Sequence, residues 1–437
     1  MAELWTNWSR DQHCAPQAIE RPSSEVDVVR VVERARRQGE RVRVAGTGHS
    51  FSDIACTDDR MLSLERMDAI LDSDRESGLA RVQAGITIDK LAAGLAERGL
   101  ALENQGDIDR QAIAGAIATA THGTGLRFPN LSARVEALRI VTAAGEAVEV
   151  SEATDPAGWR AARVSLGALG AVTELTLRCV PEFTIRRLDE PRPLGETLDR
   201  FDELVETNDH FELFVFPYTD VALVRESERT DAAPRPPGRA ADFVRSTLVE
   251  NVALEAGCRV GRAVPVAIPR LNRAFVRLAS ADRRLDRSHR VYAGRRAVRF
   301  TEMEYAIPRE RCVTALGEAL ELIERRRLPV GFPLEVRVAA ADDAFLSTAE
   351  GRETAYIAIH QFTGMEFEAY FRAVEVIMDR HEGRPHWGKR HYQSAATLAP
   401  RYPLWDEFQR VRGRMDPNGT FGNDYTDRVL GPVVAPG

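Results

Sequence analysis

The 437-residue sequence lacks several features that would point to other classes of protein. Only two of its 59 basic residues are lysine, Lys90 and Lys389. The five cysteines lie far apart without a C-x-x-C pair, which argues against a cysteine-based zinc site and indicates free thiols in a reducing compartment. No run of about 18 apolar residues occurs, so we expect no transmembrane helix. The N-terminus has no basic and apolar regions of a signal peptide, and we expect a cytoplasmic protein, with peripheral membrane contact left open.

The composition and net charge narrow the possible classes of protein further. Hydrophobic residues make up 44% and charged residues 29% of the chain, as in ordinary globular proteins. The net charge of −7 argues against a nucleic acid, or an anionic membrane in general, as the partner. A chain of this length exceeds one comfortable hydrophobic core, so two domains are expected.

Hydrophobic periodicity and turn signals predict an α+β fold. Helices are predicted at 24–38, 88–98, 311–326 and 366–381, a hairpin at 134–150, and strands at 42–45, 80–84, 172–177, 212–217, 297–305, 334–338 and 355–361. The elements alternate irregularly, without a βαβ repeat, which favours α+β over a doubly wound sheet. Residues 228–240 predict a surface loop. Residues 241–262 predict a mildly amphipathic helix that either packs in the core or rests on a membrane surface.

The most informative stretch is the loop that follows the predicted strand 42–45. The strand breaks at Gly46 and Gly48, and His49 and Ser50 come next. Glycine permits a positive φ and lets a ligand approach the backbone N–H groups closely. Successive N–H groups in such a turn form a nest that binds anions, and hydroxyl side chains add donors. The loop therefore predicts a phosphate site with an imidazole beside it, as in a nucleotide cofactor site.

Two more segments, 115–125 and 165–170, are also rich in glycine and small residues. Three such segments in order predict a long ligand threaded between subdomains, as a dinucleotide would be. A plain Rossmann site is not expected, because Phe51 stands where the fingerprint needs its third glycine. Taken alone, His49 is as typical of a turn as of a ligand contact.

A second group of chemically capable residues lies in the C-terminal half. Glu335 and Arg337 share one face of a predicted strand, because alternate side chains point the same way. They form either a structural ion pair or part of a site. The segment 384–391, RPHWGKRH, gathers two histidines and Lys389, whose compact charge arginine does not reproduce. His360 ends a predicted strand and either faces the same cavity or is a core histidine.

Several motifs then place the chain by resemblance. They are GHSFSDIACTD at 48–58, ATATHGTG at 118–125, EMEYAIP at 302–308, the Glu335/Arg337 pair, HWGK at 386–389, and Asp416-Pro with Phe421 and Asn423-Asp-Tyr425. In this order they resemble the aldonolactone oxidoreductases of the vanillyl-alcohol-oxidase flavoprotein family, in particular the bacterial L-gulono-1,4-lactone oxidases and dehydrogenases. The resemblance implies a two-subdomain FAD-binding domain of PCMH type at 1–182. It also implies an α+β cap, or substrate, domain at 183–383 and a C-terminal segment, 384–437, that returns to the FAD domain.

The resemblance also implies which residues hold the cofactor. The expected FAD contacts are Ala45, Gly46, Thr47, Gly48, His49, Ser50, Ser52, Gly106, Asp107, Gly115, Thr119, Thr121, His122, Gly123, Val172, His386 and Lys389. His49 would be linked covalently to the flavin 8α-methyl carbon. No metal is expected. Asp107 and Ala112 stand where alditol oxidases carry serines, which speaks against an alditol substrate.

The expected catalytic residues are Glu335, Arg337, Lys389 and His360. The substrate would be an aldonolactone of the L-gulono-1,4-lactone type, oxidised at C2 by hydride transfer to flavin N5 to give a 2-keto lactone of ascorbate type. Glu335 would accept the hydroxyl proton. Gly106 matches a family position where a small residue leaves oxygen a path, which favours an oxidase over a dehydrogenase with a protein or quinone acceptor. Two alternatives stay open: an alditol or sugar oxidase on the same scaffold, and a non-catalytic flavin-binding redox sensor.

Overall fold

A computed structural model of the chain describes residues 3–238, 251–294 and 297–433, and it confirms the α+β class. In the N-terminal part, the strands are β1 (Trp5–Thr6), β2 (His13–Cys14), β3 (Ala18–Glu20), β4 (Val42–Ala45), β5 (Arg60–Ser63), β6 (Ile70–Asp74), β7 (Leu79–Gln83), β8 (Leu100–Ala101), β9 (Val135–Val141), β10 (Ala147–Ser151), β11 (Ala171–Arg178) and β12 (Val180–Pro181). Strands β3-β5-β4 form a parallel sheet, and β10-β9-β11-β7-β6 form an antiparallel one.

The remaining strands form one antiparallel sheet in the order β16-β13-β15-β14-β18-β19-β17-β20. They are β13 (Thr184–Pro193), β14 (His210–Val215), β15 (Val221–Thr230), β16 (Asp282–Arg287), β17 (Phe300–Pro308), β18 (Leu334–Ala339), β19 (Thr354–Phe362) and β20 (Arg384–Pro385). The predicted loop 228–240 is wrong for its first three residues, which complete β15. Its last two residues lie outside the described ranges.

The helices cover the sheets and connect the strands. They are α1 (Glu25–Gln38), α2 (Ile88–Glu97), α3 (Ile113–Ala118), α4 (Pro156–Ala162), α5 (Leu194–Asp199), α6 (Phe201–Thr207), α7 (Leu254–Ala263), α8 (Ile268–Leu278), α9 (Ser288–Tyr292), α10 (Cys312–Arg325), α11 (Glu368–Arg380), α12 (Ala395–Leu398), α13 (Trp405–Met415) and α14 (Asp424–Leu430). Of the predicted helix 241–262, the first ten residues lie outside the described ranges. None of the helices in those ranges has the length and hydropathy needed to span a bilayer.

The predicted helix 24–38 is confirmed, together with the residues expected to end it. The side chain of Ser24 accepts the N–H of Asp27, and Gly39 ends the helix with a φ of +69°. Helix α1 connects β3 to β4, and both of these strands pair in parallel with β5. This part of the chain is therefore a βαβ crossover, and it places the glycine loop at the end of β4.

Two hydrophobic clusters account for most of the core. One contains apolar side chains from 28–179 together with 344–346 and 387–430, and the other contains side chains from 201–378. The distant residues in the first cluster show that the C-terminal segment packs against the N-terminal half. We propose the division into 1–182, 183–383 and 384–437 on this basis. Of the two candidate cavities described below, the larger is lined by residues of all three parts, and the narrow one by residues of 1–182.

Candidate active site

The glycine loop after β4 owes its shape to close contact with the N-terminal residues. Gly48 has a φ of +74°, and a Cβ there would lie 3.3 Å from the Cα of Asn7. The N–H of Trp8 donates to the carbonyl of Gly48 over 2.7 Å. The ring of Trp8 stacks on His49, with ring centroids 5.7 Å apart. Any other residue at position 48 would therefore strain the backbone and push this support away.

A buried arginine joins the loop to the other parts of the site. Arg43 lies in β4 and donates to the carbonyls of Phe421 over 2.7 Å, Ile54 over 2.6 Å and Leu166 over 2.9 Å. These carbonyls belong to the C-terminal segment, the glycine loop region and the 165–170 segment. Hydrogen bonds from a buried charged group are costly to lose, so Arg43 holds the three segments in one arrangement.

A narrow cavity of about 300 Å³ opens between these segments. The predicted cofactor residues that line it are Ala45, Gly46, Thr47, Gly48, His49, Ser50, Gly115, Thr119 and Val172. Other lining residues include Lys90, Gln111, Ala112, Ser165, Gly167 and Gly170. A Cβ on Gly46 would lie 3.3 Å from the Cβ of Ala112, so backbone is exposed to the cavity where side chains would close it. The three glycine-rich segments thus converge on one cavity.

His49 brings an imidazole without a hydrogen-bond partner to this cavity. Its Nδ1 atom is buried and makes no hydrogen bond. Burial, together with the nearby positive charges of Lys389 and Arg110, lowers the pKa of His49 to about 4. The imidazole is therefore neutral near pH 7, with a nitrogen that nothing in the described protein satisfies. An FAD molecule fits these features, because it brings phosphates for the loop and a ring system for His49.

A larger cavity of about 860 Å³ lies beside the narrow one, and Gln111 lines both. Its wall contains nine of the predicted site residues: Gly106, Asp107, Thr121, His122, Glu335, Arg337, His360, His386 and Lys389. Apolar side chains complete the wall, among them Phe214, Phe300 and Phe332. The two groups of residues singled out from the sequence therefore face adjoining spaces.

Glu335 and Arg337 lie side by side on β18, as the strand period predicts. Arg337 Nη2 lies 2.5 Å from Glu335 Oε1 and 3.2 Å from Asp107 Oδ1. Neither Glu335 Oε1 nor Arg337 Nη2 makes a hydrogen bond of normal geometry, although both are buried. Burial raises the pKa of Glu335, with Asp107 acting in the same direction and Arg337 opposing it. The pair is thus an ion pair that keeps hydrogen-bonding capacity for a ligand.

A row of alternating charges that begins at Arg337 crosses the large sheet. Arg337 Nε lies 3.6 Å from Glu212 Oε1 on β14. Glu212 is paired directly with Arg225 on β15, at 2.9 Å between side chains, and Arg225 in turn pairs with Asp189 on β13 at 2.9 Å. Cross-strand pairs of opposite charge stabilise one another. The row therefore holds the guanidinium of Arg337 in place at the cavity, and Arg225 lines the same cavity.

We expect Glu212→Gln to lower kcat/KM about tenfold, because Arg337 loses one of the carboxylates that position it. Glu212 also raises the pKa of Glu335, so its removal is expected to move the acidic limb of the rate profile to lower pH. Stopped-flow flavin reduction across pH measures both effects. Glu226→Gln is the matched control, because Glu226 on the neighbouring strand β15 also forms a cross-strand ion pair, with Arg192 on β13. An unchanged acidic limb in Glu212→Gln would contradict the positioning role.

Lys389 and His360 meet on a second carboxylate, Glu302 of β17. The ammonium of Lys389 forms an ion pair with Glu302, and His360 Nε2 lies 3.6 Å from Glu302 Oε1. Glu302 and His360 are also direct cross-strand partners. Although burial opposes it, Glu302 raises the pKa of His360, and Lys389 and His360 lower the pKa of Glu302. The three side chains therefore form one electrostatically coupled group at the wall of the cavity.

His122 and His386 surround the neighbouring carboxylate, Glu304. His122 Nδ1 lies 2.8 Å from the carbonyl of Gly123, and its Nε2 lies 3.3 Å from Glu304 Oε1. Oxygen and nitrogen atoms of His122, Glu304 and His386 lie within 4.8 Å of one another, a spacing also found around metals. However, His386 Nδ1 accepts the N–H of Gly388, which leaves the ring proton on Nε2. Burial lowers the pKa of His386 to about 3. We therefore interpret this cluster as a hydrogen-bonded network.

Two predicted cofactor residues lie outside both cavities. The hydroxyl of Ser52 donates to the carbonyl of Trp387 over 3.4 Å. At Gly123, a Cβ would lie 2.4 Å from Asn104 Oδ1, so this glycine is needed for packing. Glu302 and Glu304 also line the larger cavity, although neither is among the predicted site residues. Their spacing of two within the EMEY motif was a usable signal, since it places both on one face of a strand.

Known protein families match both halves of the chain. Residues 175–429 match the D-arabinono-1,4-lactone oxidase family, and residues 16–151 match the FAD binding domain family. The chain is 54% identical over 432 residues to L-gulono-1,4-lactone dehydrogenase of Mycobacterium tuberculosis, covering 99% of this chain and 100% of that protein. It is 32% identical to L-gulonolactone oxidase of Bos taurus over 97% of each chain.

A solved structure gives independent support for the fold. Cholesterol oxidase from B. sterolicum superposes with a TM-score of 0.82, covering 99% of this chain and 97% of that one at 18% identity. This likeness concerns the fold alone. Together with the family matches, it confirms an FAD-binding domain of the predicted type joined to a second α+β domain.

Proposed function

The chain belongs to the D-arabinono-1,4-lactone oxidase family of flavoenzymes, and from this premise we propose that it oxidises an aldonolactone of the L-gulono-1,4-lactone type at its C2 hydroxyl. One observation carries the proposal: Glu335 and Arg337 form a buried pair at the larger cavity, and the facing atoms of both keep hydrogen-bonding capacity. A secondary alcohol beside a carbonyl needs a proton acceptor for its hydroxyl and a cation for its oxygens, and this pair offers both.

In the proposed reaction, Glu335 accepts the proton of the substrate hydroxyl. Its pKa is raised by burial, which brings it closer to neutral pH and makes it a more effective base than an ordinary carboxylate. It still must be ionised to act, and Arg337 helps to keep it so. Asp107, whose carboxylate contacts Arg337 at 3.2 Å, keeps the guanidinium at this end of the cavity.

Arg337 and Lys389 stabilise the negative charge that develops on the substrate oxygens. Both are buried cations, and hydrogen bonds from such groups are stronger than those in water. Lysine is much rarer than arginine in this chain, and the ion pair with Glu302 holds Lys389 in position. FAD, when bound, supplies the hydride acceptor. The product would be a 2-keto lactone, which enolises to an ascorbate-type enediol.

The residues of the narrow cavity would hold the FAD. Backbone N–H groups of the loop from Ala45 to Ser50 suit its pyrophosphate, and the small side chains of α3 leave room for its flat parts. We propose that His49 forms a covalent bond to the flavin. The support is its buried, unpartnered Nδ1 and its lowered pKa, which keep a nitrogen lone pair available.

For His49→Ala we expect that no flavin remains attached to the chain after denaturation, although part of the flavin stays bound in the native protein. A denatured, electrophoresed band that is fluorescent for the unaltered protein and dark for the variant measures this directly. His13→Ala, a change at an exposed histidine on β2, is the control and is expected to keep its fluorescent band. A fluorescent His49→Ala band would assign the linkage to another residue.

We propose dioxygen as the electron acceptor, on the basis of the small residue at position 106, Gly106. A Cβ there would lie 3.1 Å from the carbonyl of His122, so a larger side chain would change this part of the cavity. The names of the two relatives differ on this point, one being a dehydrogenase and the other an oxidase. Hydrogen peroxide formed under air, compared with dye reduction under nitrogen, decides between dioxygen and a protein or quinone acceptor.

The substrate proposal is tested by flavin bleaching under nitrogen. L-gulono-, L-galactono- and D-arabinono-1,4-lactone are compared with xylitol and sorbitol, and rapid bleaching by a lactone is expected. Faster bleaching by an alditol would make the protein an alditol oxidase. A flavin that dithionite reduces but no lactone or alditol does would indicate a non-catalytic redox sensor. A cytoplasmic location, with contact to a membrane surface, is part of the same proposal.

A further inference from the structure

Helices α7 and α8 form a hairpin whose turn exposes apolar side chains. The two helices pack closely, since a Cβ on Gly261 would lie 3.0 Å from the side chain of Ile268. At the turn, Val264 is 48% and Val266 is 86% exposed. Val260, one turn before the end of α7, is 50% exposed. Together with Pro265 these residues form what we call the valine tip.

Large aliphatic side chains are usually covered, and Val266 has the highest exposure among those of the described residues. Three exposed valines lie within seven residues of the chain, and exposed apolar side chains grouped in this way typically mark a surface that meets a partner or a membrane.

Arginines flank the valine tip on both sides. Residues 251–281 contain five arginines and a single acidic residue, Glu255, giving a local net charge of +4 in a chain whose net charge is −7. Arg259, Arg262 and Arg270 are exposed and lie closest to the tip in the sequence. Glu255 is engaged by Arg259 at 2.8 Å. The tip is therefore apolar at its end and cationic around its base.

We propose that the valine tip docks the protein on an anionic phospholipid bilayer, with the valines among the head groups and the arginines on the phosphates. Apolar side chains bordered by arginines are the pattern of segments that lie in a membrane interface. Arginines near an anionic bilayer are attracted to its surface potential, which overcomes the overall negative charge of the protein locally. A two-fold contact between copies of the chain is disfavoured, because it would place these arginines against one another.

Docking at the tip would orient the active site. Leu254 begins α7, Phe275 lies near the end of α8, and both line the larger cavity. The ten residues of α7 extend about 15 Å, so the cavity wall lies roughly one helix length from the docked surface. This inference extends the proposed location and rests on it, but it does not depend on the substrate.

The test is sedimentation of the flavin-loaded full chain with vesicles. We expect binding to phosphatidylcholine vesicles that contain phosphatidylglycerol, weaker binding to phosphatidylcholine alone, and release at high salt, because salt screens the arginines. The double variant Val264→Asp/Val266→Asp is expected to weaken binding to the anionic vesicles at least about tenfold, since it places charge where apolar side chains enter the interface.

Val376→Asp is the matched control, because Val376 on α11 is 60% exposed and lies far along the chain from the tip. Its vesicle binding is expected to equal that of the unaltered protein. Lactone-dependent reduction of a water-soluble dye is expected to be unchanged in both variants, which separates a failure of docking from a failure of the proposed chemistry. A thermal melt of each variant verifies that it is folded.

Three results would overturn the proposal. The first is no sedimentation of the unaltered protein with anionic vesicles. The second is equal loss of binding in the control and the tip variants. The third is a concentration-dependent dimer that the tip variant abolishes while vesicles are not bound, which would make the valine tip a contact between copies of the chain.

Discussion

Arg337→Ala is expected to lower kcat by about 10²–10³-fold, which corresponds to about 3 kcal/mol or more of lost transition-state stabilisation. The guanidinium is buried, it borders the larger cavity, and its Nη2 keeps hydrogen-bonding capacity for a ligand. Among the described residues, Arg337 is the cation that forms an ion pair with Glu335, so its removal takes the guanidinium donor away from this carboxylate. Single-turnover flavin reduction with L-gulono-1,4-lactone measures the effect without interference from the electron acceptor.

The same substitution is expected to shift the pH profile. Arg337 opposes the upward shift that burial gives the pKa of Glu335, so its removal raises that pKa further. Glu335 must be ionised to accept a proton, and the acidic limb of kcat/KM therefore moves to higher pH. This direction is the opposite of the one expected for Glu212→Gln, so the two variants test one electrostatic explanation from both sides.

Removing Arg337 also leaves Glu335, Asp107 and Glu212 without their shared cation, and loss of one partner of a buried pair is strongly destabilising. Arg337→Lys is the companion variant, because it keeps the charge and loses the fork of donors. We expect it to be folded, flavin-loaded and intermediate in rate. A folded, flavin-loaded Arg337→Ala protein with kcat near that of the unaltered enzyme would exclude Arg337 from catalysis.

The sequence was sufficient wherever a local rule fixes the structure. The strand period placed Glu335 and Arg337 on one face of β18, and the structure has them in an ion pair. Helix α1 is delimited by Ser24 and Gly39, whose capping preferences are readable from the residues themselves. The break from β4 into the glycine loop follows from the same kind of rule.

The sequence was insufficient where a nonlocal contact overrides such rules. Helix α3 ends at Ala118, although small residues, two threonines and an alanine, continue to 121. Ala120 has a φ of +59°, an uncommon conformation for alanine that only the surrounding packing imposes. Strand β13 escaped prediction because it has no apolar alternation and contains Pro191. Its pairing with β16 stops at Asp189, so Pro191 lies where one side of the strand is open and needs no donor.

The charge row that begins at Arg337 was likewise not predictable from local rules. Glu212, Arg225 and Asp189 lie on three strands, and only the register of those strands places them in line. Likewise, His122 reaches Glu304 across 182 positions of the chain. Register between distant strands depends on the packing of the whole sheet, so the sequence identified many of the groups at the cavity, but not Glu302 and Glu304, and missed the charge row that holds Arg337 in place.

Glu335→Gln is expected to have the other largest effect, a fall in kcat of about 10²–10⁴-fold, which is the usual contribution of a positioned general base. The amide has nearly the same shape, so the cavity is preserved while the proton acceptor is lost. Arg337 also keeps its contacts with Asp107 and Glu212, and we therefore expect the variant to be folded and to bind flavin. Stopped-flow reduction across pH is the measurement.

The pH dependence separates a base from a residue that only binds substrate. In the unaltered protein, the rate falls as pH falls through the raised pKa of Glu335, because the protonated carboxyl cannot accept the hydroxyl proton. In Glu335→Gln that acidic limb is expected to disappear, and the residual rate should rise with hydroxide concentration. A residue that only bound the substrate would raise KM and leave the acidic limb in place, so retention of the limb in the glutamine variant would assign proton acceptance to the Glu302–His360 pair instead.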